Sequence, residues 1–441
     1  MSVFIEGGIP IMGTVSVSGS ANSASKLIIA SMFSNEDVVL SNVPRVQSIE
    51  DDIEIIESIG GTAEWLGSNT LSLNGSQINT YEIPSEVGRK YRTCALLAGP
   101  LLFRFGKAVI PKYQPIDGIQ RPINRFIDTW KTLGLNVSED EKNILLSNDG
   151  SAGGANINFK TSSHTATDNA ILSSVFLTGE TDISNSSQDY EVDDLVNFLN
   201  SMGANINKPE AGKISIEGKG IFKGTSFEVC SDKLEIAAFS TLAVVTKGNI
   251  SIKNVKRDLV LQFVNFLNKI GARFEFSENE LRVWRHEESL IPQKLEISPS
   301  PGFITDWQPL AVLILTQADG ESIVHDTVYV DRFGYCMDLN RMGAKIDIVK
   351  PSEVGLIPIV SDDSYDMEKE GEPATVAKIF GPTKLKGERL AIENFNYGSV
   401  LVLAALCAEG KSEIIGIEIL SKYFEDFVLK LKLLGAKIWE Q

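Results

Sequence analysis

The chain has 441 residues, of which 43% are hydrophobic and 22% charged, and its net charge is −17. This length predicts two or three domains with large cores. Nucleic-acid phosphates are bound by basic surfaces, so the acidic balance argues against a nucleic-acid partner. Any anion site must instead be made locally, by a few Arg or Lys side chains or by helix N-termini.

The N-terminal residues, the length of the apolar runs and the spacing of His and Cys predict the compartment and whether a metal is bound. The N-terminal residues lack the basic and long apolar regions of a signal peptide, and no apolar run approaches membrane-spanning length. Three histidines and four cysteines are scattered without metal-like or disulfide-like spacing; the cysteines are Cys94, Cys230, Cys336 and Cys407. We therefore expect a cytoplasmic protein with no membrane partner, no metal site and no cofactor.

An internal repeat organises the chain. A tail of the form apolar-Gly-small recurs six times, with its glycines 68 (271−203) to 92 (435−343) residues apart; they are Gly60, Gly134, Gly203, Gly271, Gly343 and Gly435. An amphipathic helical pattern precedes each tail, as in the segment from Val192 to Leu199. Each glycine suits a helix C-cap that leads into a strand.

A second kind of helix lies upstream in each unit and is short, apolar and rich in small residues. The predicted segments are 24–33, 94–103, 170–177, 237–245, 310–316 and 400–408. Six amphipathic and six nearly all-apolar helices, separated by short strands, predict α/β units with one helix buried and one facing water. Periods near 70 residues are too long for the common solenoids and favour a compact two-domain arrangement.

Polar residues cluster at the start of the predicted buried helices. They are Asn22, Arg92, Asp168, Asn169, Glu235, Asp306, Asn394 and Asn396. If the buried helices of each half run parallel, their N-termini converge on one face and attract phosphate or carboxylate. Asp306 follows a Gly-containing loop, and Thr305 or Asp306 could be the N-cap with Gln308 completing a capping box. Asp306 is therefore either a cap alone or a functional carboxylate.

Several motifs together carry a resemblance to a known family. They are Gly19-Ser20-Ala21-Asn22, Arg92 before Ala98-Gly99-Pro100-Leu101, Arg121-Pro122, Pro301-Gly302-Phe303 with Thr305-Asp306 and Gln308, Asp331-Arg332-Phe333, and Arg341-Met342-Gly343-Ala344. The chain resembles the enolpyruvyl transferase superfamily over nearly its whole length, and within it the UDP-N-acetylglucosamine 1-carboxyvinyltransferases. The resemblance implies an α/β fold of two inside-out, barrel-like domains, each of three repeated units with buried helices. One domain would comprise residues 1–18 plus 232–441, and the other residues 19–231, with a mobile loop at 111–121.

The resemblance also implies a reaction and its residues. Such enzymes move the enolpyruvyl group of phosphoenolpyruvate to a hydroxyl of a UDP-sugar or related uridine nucleotide and release phosphate. Asp306 would take the hydroxyl proton, Arg92 and Arg121 would hold the donor's carboxylate and phosphate, and Asn22 would contact the acceptor sugar. The further substrate-binding positions implied are Ser163, Thr165 and Arg332, and also Lys422, which stands where the family has an arginine. Bidentate Arg contacts neutralise such anions and fix their orientation.

The sequence departs from the family at the donor site. A lysine expected immediately before Asn22 is Ala21, and an aspartate and an arginine expected before the sixth buried helix are Asn394 and Asn396. Lys26, one turn after Asn22, is either a solvated or snorkelling lysine, the favoured interpretation, or a replacement donor ligand.

The loop at 111–121 lacks the family's acid cysteine. Asp117 in that loop is either the replacement acid or a simple Asp-Gly turn residue. Two functions remain open: a divergent enolpyruvyl transferase, or a homologue that binds a nucleotide sugar or other anion without transfer. Retention of Arg92, Arg121 and Asp306 favours the enzyme, and loss of the lysine at Ala21 favours the binder.

Overall fold

The protein divides into two compact units, which are described separately. The structure, a computed structural model, describes residues 2–114, 123–285, 289–362 and 365–440. Unit 1 comprises Met1–Ser18 and Ser231–Gln441, and unit 2 comprises Gly19–Cys230. Unit 2 is therefore an insertion in the chain of unit 1.

The strands of the described residues are short. They are β1 (Ser2–Gly7), β2 (Met12–Ser16), β3 (Val38–Ser41), β4 (Thr62–Trp65), β5 (Leu71–Asn74), β6 (Lys107–Pro111), β7 (Asn136–Glu139), β8 (Asn143–Ser147), β9 (Asn156–Asn158), β10 (Glu180–Ser184), β11 (Asn205–Asn207), β12 (Lys213–Glu217), β13 (Ser226–Glu228), β14 (Asn249–Lys253), β15 (Arg273–Phe276), β16 (Glu280–Trp284), β17 (Lys294–Ile297), β18 (Gly320–Asp326), β19 (Ile346–Val349), β20 (Val376–Gly381), β21 (Arg389–Ala391), β22 (Gly410–Ile415) and β23 (Lys437–Glu440).

The longer α-helices alternate between buried and half-exposed elements along the chain. They are α1 (Ala21–Ser31), α2 (Gln47–Ser58), α3 (Ser85–Gly88), α4 (Ala98–Phe105), α5 (Asn124–Thr132), α6 (His164–Ser174), α7 (Tyr190–Ser201), α8 (Lys233–Val245), α9 (Leu261–Lys269), α10 (Gln308–Leu315), α11 (Tyr335–Arg341), α12 (Met367–Glu370), α13 (Phe395–Cys407) and α14 (Phe427–Leu433). Short 3-10 helices span Arg92–Leu97, Arg257–Val260, Thr305–Trp307, Pro351–Val354 and Ile417–Lys422. Across the described ranges, no helix is both long and apolar enough to cross a membrane.

Each unit repeats one sheet topology three times within its described residues. The sheets of unit 1 have the strand orders β21-β22-β1-β23, β15-β16-β14-β2 and β17-β18-β20-β19, and those of unit 2 have the orders β11-β12-β10-β9, β13-β3-β5-β4 and β6-β8-β7. In every four-stranded sheet one edge strand is parallel to its neighbour and the other pairs are antiparallel. In the three-stranded sheet, a single parallel bridge between Glu82 and Val109 takes the place of the missing edge strand.

The six predicted glycine tails are confirmed as helix ends. They follow α2, α5, α7, α9, α11 and α14, and each glycine has a positive φ, between 81° and 108°. Glycine adopts this left-handed conformation without steric cost, so the chain can leave the helix and enter a strand at once. The repeat seen in the sequence is therefore a repeated helix-to-strand turn.

The predicted buried helices form the cores. In unit 1, α8, α10 and α13 pack against one another, and in unit 2 α6 packs on α4 and on the 3-10 helix that precedes α4. Most of these helices begin earlier than predicted; α6, for example, begins at His164 instead of Ala170. Asp168 and Asn169 therefore lie inside the helix and not before it.

The two passages of the chain between the units are held by short hydrogen bonds. The Asp232 amide donates to the Ser18 carbonyl at 2.9 Å, and the Ser20 amide donates to the Cys230 carbonyl at 2.7 Å. On the unit 1 side, the Ser18 amide also donates to the buried Glu235 carboxylate at 2.6 Å, and Lys430 Nζ bonds that carboxylate at 2.5 Å. The ends of both units are thus fixed within their own cores.

Candidate functional site

In unit 2, the first turn of α1 presents an exposed asparagine over a buried lysine. Ser20 is the N-cap, and its side chain accepts a hydrogen bond from the Ser23 amide at 3.2 Å. Asn22 is exposed, whereas Lys26 is only 3% exposed. Lys26 Nζ donates to the Asn22 carbonyl at 2.6 Å and also to Asn22 Oδ1. The interpretation of Lys26 as a solvated lysine is therefore wrong.

Two buried carboxylates lie in the electrostatic field of Lys26. Burial raises the pKa of Asp168, on α6, while the charges of His164 and Lys26 oppose this shift. Burial also raises the pKa of Asp52, on α2, to about 6, against the opposing effects of hydrogen bonds from Ser25 and Thr93 and the charge of Lys26. A buried lysine is tolerated here because carboxylates balance its charge.

His164 is the first residue of helix α6 and lies next to Asn22. Its Nδ1 lies 3.5 Å from Asn22 Nδ2, and its Nε2 lies 3.5 Å from Asp168 Oδ2. The Asp189 carboxylate lies 4.0 Å from Nδ1. The Asn22 amide is thus flanked by Lys26 at its oxygen and by His164 at its nitrogen.

Arg92 brings a third helix start to this cluster. It begins the 3-10 helix Arg92–Leu97, and its Nη1 donates to Thr165 Oγ1 at 3.4 Å. Ser163 is the N-cap residue of α6 and makes no side-chain cap hydrogen bond. The predicted residues Asn22, Lys26, Arg92, Ser163 and Thr165 therefore lie together where three helices begin. Asp117 and Arg121 lie outside the described residues.

In unit 1, Asp306 is the exposed residue of a short turn before α10. The 3-10 turn Thr305–Trp307 leads directly into the helix, and neither element has a side-chain cap hydrogen bond. The expectation that Thr305 or Asp306 caps this helix, with Gln308 in a capping box, is therefore wrong. Thr305 and Gln308 instead direct their side chains to Asp326, at 3.0 and 3.2 Å. The Asp306 carboxylate is left exposed beside them.

The other predicted residues of unit 1 are Arg332 and Lys422. Arg332 is half-buried, with its guanidinium carbon 4.3 Å from the centroid of the Tyr329 ring. Lys422 ends the 3-10 helix Ile417–Lys422 and is half-buried, with Nζ 5.9 Å from the Tyr423 ring centroid. The ring of Tyr397 on α13 lies 5.7 Å from that of Tyr335, which links α13 to the neighbourhood of Gln308.

Sequence reasoning missed two carboxylates that shape these clusters. Asp52 is 3% exposed on the inner side of α2, and Asp326 is fully buried at the end of β18. Each had a signal in the sequence. Asp52 lies in an Asp51-Asp52 pair next to Ile53, on the apolar side of an amphipathic helix, and Asp326 directly follows the run Ile323-Val324 and His325. An acidic residue at a core position needs partners, and both have them.

The cysteines are poor nucleophiles. Cys94 is 1% exposed, and burial raises its pKa to about 12. Burial likewise raises the pKa of Cys407 to about 12 and that of Cys230 well above its ordinary value. Within the described part of the chain, no group of His, Cys, Asp and Glu side chains could hold a metal ion.

The repeated topology and the polar helix starts agree with a match to a known family. Residues 5–431 match the family model described as EPSP synthase (3-phosphoshikimate 1-carboxyvinyltransferase). The chain belongs to this family. Membership in it identifies the chain as an enolpyruvyl transferase homologue with the enolpyruvyl transferase fold, as the sequence resemblance implied.

Relatives and solved structures of the family cover nearly the whole chain. UDP-N-acetylglucosamine 1-carboxyvinyltransferase of Chlamydia abortus is 32% identical over 98% of this chain and 96% of its own length. UDP-N-acetylglucosamine 1-carboxyvinyltransferase 1 of Legionella pneumophila is 30% identical over 98% of this chain and 81% of its own length. The enolpyruvyl transferase NikO from Streptomyces tendae is 20% identical, with a TM-score of 0.85 over 99% of this chain and 98% of its own. An EPSP synthase of Acinetobacter baumannii is 16% identical, with a TM-score of 0.73 over the full length of both chains.

The raised pKa of Asp52 predicts a pH-dependent stability. The folded protein holds a proton on Asp52 up to about pH 6, whereas the unfolded chain releases it near 3.8. The contribution of this group to stability is therefore complete below pH 3.8 and lost as the pH rises past 6. Between pH 5 and 7.5, the unfolding free energy of Asp52→Asn should rise relative to wild type by about 1.4 kcal/mol.

Denaturant unfolding across this pH range measures the effect, with Asp149→Asn as the control. Asp149 lies in the same unit, and hydrogen bonds to its carboxylate lower its pKa to about 2, so its titration lies below the range. Parallel pH profiles for Asp52→Asn and wild type would contradict the prediction.

Proposed function

We propose that this family member transfers the enolpyruvyl group of phosphoenolpyruvate to a hydroxyl of a UDP-sugar or related uridine nucleotide, with release of phosphate. The acceptor oxygen forms a bond to the central carbon of the donor, and its proton passes to a base. The methylene carbon of the donor takes up a proton from an acid. Loss of that added hydrogen and of phosphate then gives the enolpyruvyl ether, so that no oxidant or cofactor is needed.

The observation that carries the proposal is the contact of Lys26 with Asn22. The family's lysine is absent at Ala21, yet a buried ammonium lies 2.6 Å from the Asn22 carbonyl, at the same helix start. Although buried carboxylates offset part of its charge, Lys26 together with Arg92 adds positive charge beside the first backbone N–H groups of α1. Such a surface suits a donor that carries both a phosphate and a carboxylate, in spite of the acidic chain.

The acceptor would bind at the same helix starts. Asn22 is exposed and held by two neighbours, so its amide can offer a fixed hydrogen-bonding edge to a sugar. Ser163 and Thr165 flank His164 at the start of α6, where hydroxyl and backbone N–H groups suit a phosphate of the nucleotide. Because His164 carries a bulky imidazole close to Asn22, we assign it the selection of the acceptor.

Asp306 is the proposed base and Asp117 the proposed acid. An exposed carboxylate that caps nothing is available to a hydroxyl proton, and general bases of this kind contribute about 10²–10⁴-fold to rate. Arg121, Arg332 and Lys422 are proposed as further contacts to the anionic substrates. The cytoplasmic location expected from the sequence stays a prediction.

The test is phosphate release from phosphoenolpyruvate with a panel of uridine nucleotides and nucleotide sugars. We expect release with at least one acceptor, and a product heavier than that acceptor by one enolpyruvyl group. Release in the absence of any acceptor would indicate simple hydrolysis. If an acceptor binds, as measured by calorimetry, but no phosphate appears, the chain is instead the binding homologue that the loss of lysine at Ala21 favours.

A further inference from the structure

Asp326 ends strand β18 and is fully buried, yet both of its carboxylate oxygens accept hydrogen bonds. Oδ2 accepts from Thr305 Oγ1 at 3.0 Å and from Gln308 Nε2 at 3.2 Å. Oδ1 accepts from the backbone amides of Val328 and Tyr329 at 2.8 and 3.1 Å. One side chain thus joins two segments that are about twenty positions apart in the sequence.

The first of these loops carries Asp306. Thr305 and Gln308 lie on either side of Asp306 in the sequence, and both donate to the same oxygen of Asp326. Gln308 is also fixed from its other end, because Tyr335 Oη donates to Gln308 Oε1 at 2.9 Å. Gln308 and Tyr335 are fully buried, so the amide cannot turn without breaking one of the two bonds.

The second loop carries Arg332. The Asp326 carboxylate fixes the backbone of Tyr329, and the Tyr329 ring lies under the Arg332 guanidinium, 4.3 Å from its carbon. The strand itself is anchored, since the Asp326 amide donates to the Thr375 carbonyl at 2.9 Å. Both loops are therefore held by the same buried residue, Asp326, in the core of unit 1.

We infer that Asp326 is a positioning residue within unit 1, holding the Asp306 turn and the Arg332 loop in register with each other. The expected loss of kcat rests on the proposed function, whereas the expected loosening of the two loops does not. Only an ionised carboxylate can accept all four hydrogen bonds. In an asparagine, an NH2 group would replace one of the two oxygens and would face the two donors that this oxygen accepts from.

The test compares Asp326→Asn with wild type by backbone hydrogen exchange and by kinetics. We expect faster exchange in both segments 303–309 and 327–333, because the asparagine NH2 group faces the donors of one segment and so displaces the side chain that joins it to the other. Displacing a base by about 1 Å can lower a rate about 100-fold, so we expect a loss of that order in kcat, with the acceptor KM little changed.

Two further variants keep the test decisive. Ser322→Ala lies on the same strand and removes a fully buried acceptor of the Gln293 amide, so it measures a general loss of stability without touching either loop. Thr305→Val removes one donor to Asp326 and should speed hydrogen exchange in segment 303–309 alone. This variant takes the place of Asp326→Asn in the test if Asp326→Asn does not fold.

The outcomes separate the two proposals. Unchanged exchange in both segments, or equal loosening by Ser322→Ala, would overturn the positioning role. If wild type shows no turnover with any acceptor, the proposed function fails, whereas selective loosening of the two segments would still establish that Asp326 positions both loops.

Discussion

Asp306→Asn should lower kcat about 10²–10⁴-fold while leaving acceptor affinity within a few-fold of wild type. The amide keeps the shape of the side chain but cannot take a proton from the acceptor hydroxyl. A base acts mainly on the transition state, so its loss appears in kcat and not in ground-state binding. Steady-state phosphate release gives kcat, and calorimetry with the acceptor gives the affinity.

Asp319→Asn is the matched control for this substitution. It makes the same chemical change at an exposed aspartate beyond the opposite end of α10, and should leave both quantities unaltered. Equal losses of affinity and rate in Asp306→Asn would instead make Asp306 a ligand of the acceptor. An unchanged kcat would remove it from the mechanism.

Lys26→Met should destabilise the protein by about 3–5 kcal/mol, because it leaves buried carboxylates without their cation. Asp168 is fully buried and Asp52 is 3% exposed, and the charge of Lys26 favours ionisation of both. Methionine fills a similar volume, so the loss reports on charge more than on packing. Denaturant unfolding at neutral pH measures the change.

A second substitution identifies the cause. In Lys26→Met/Asp168→Asn the buried charge is removed together with its partner, and part of the lost stability should return. Lys213→Met, in the same unit but on an exposed ion pair with Glu210, serves as the control and should unfold much as wild type does. A Lys26→Met protein as stable as wild type would show that the carboxylates are balanced by other groups.

The parts of the fold that depend on local sequence were predictable. The six glycine tails are confirmed because a left-handed C-cap is a local requirement that glycine meets at each repeat. The starts of the buried helices were harder to predict. His164, Asp168 and Asn169 break the apolar pattern of α6, although the helix continues through them and buries Asp168 and Asn169.

The sequence predicted several residues of the candidate site, but not the side chains that contact them. Asn22, Arg92 and Thr165 were named from motifs, and the structure brings them together. Lys26 was misjudged because periodicity places it on the face of Asn22 without showing that it lies within electrostatic reach of Asp52, from another helix. Asp326 shows the same limit, since its four donors come from two loops that only the folded sheet brings together.

Unit 2 is inserted into the chain of unit 1, and hydrogen bonds hold the two ends of each unit together at the points where the chain passes between the units. Ser18 and Asp232 are joined by one hydrogen bond, as are Ser20 and Cys230. A peptide link between Ser18 and Asp232 would therefore restore a continuous backbone for unit 1, and unit 2 would leave as a single piece with neighbouring termini. Two cuts, one at each point where the chain passes between the units, would therefore separate unit 2 from unit 1.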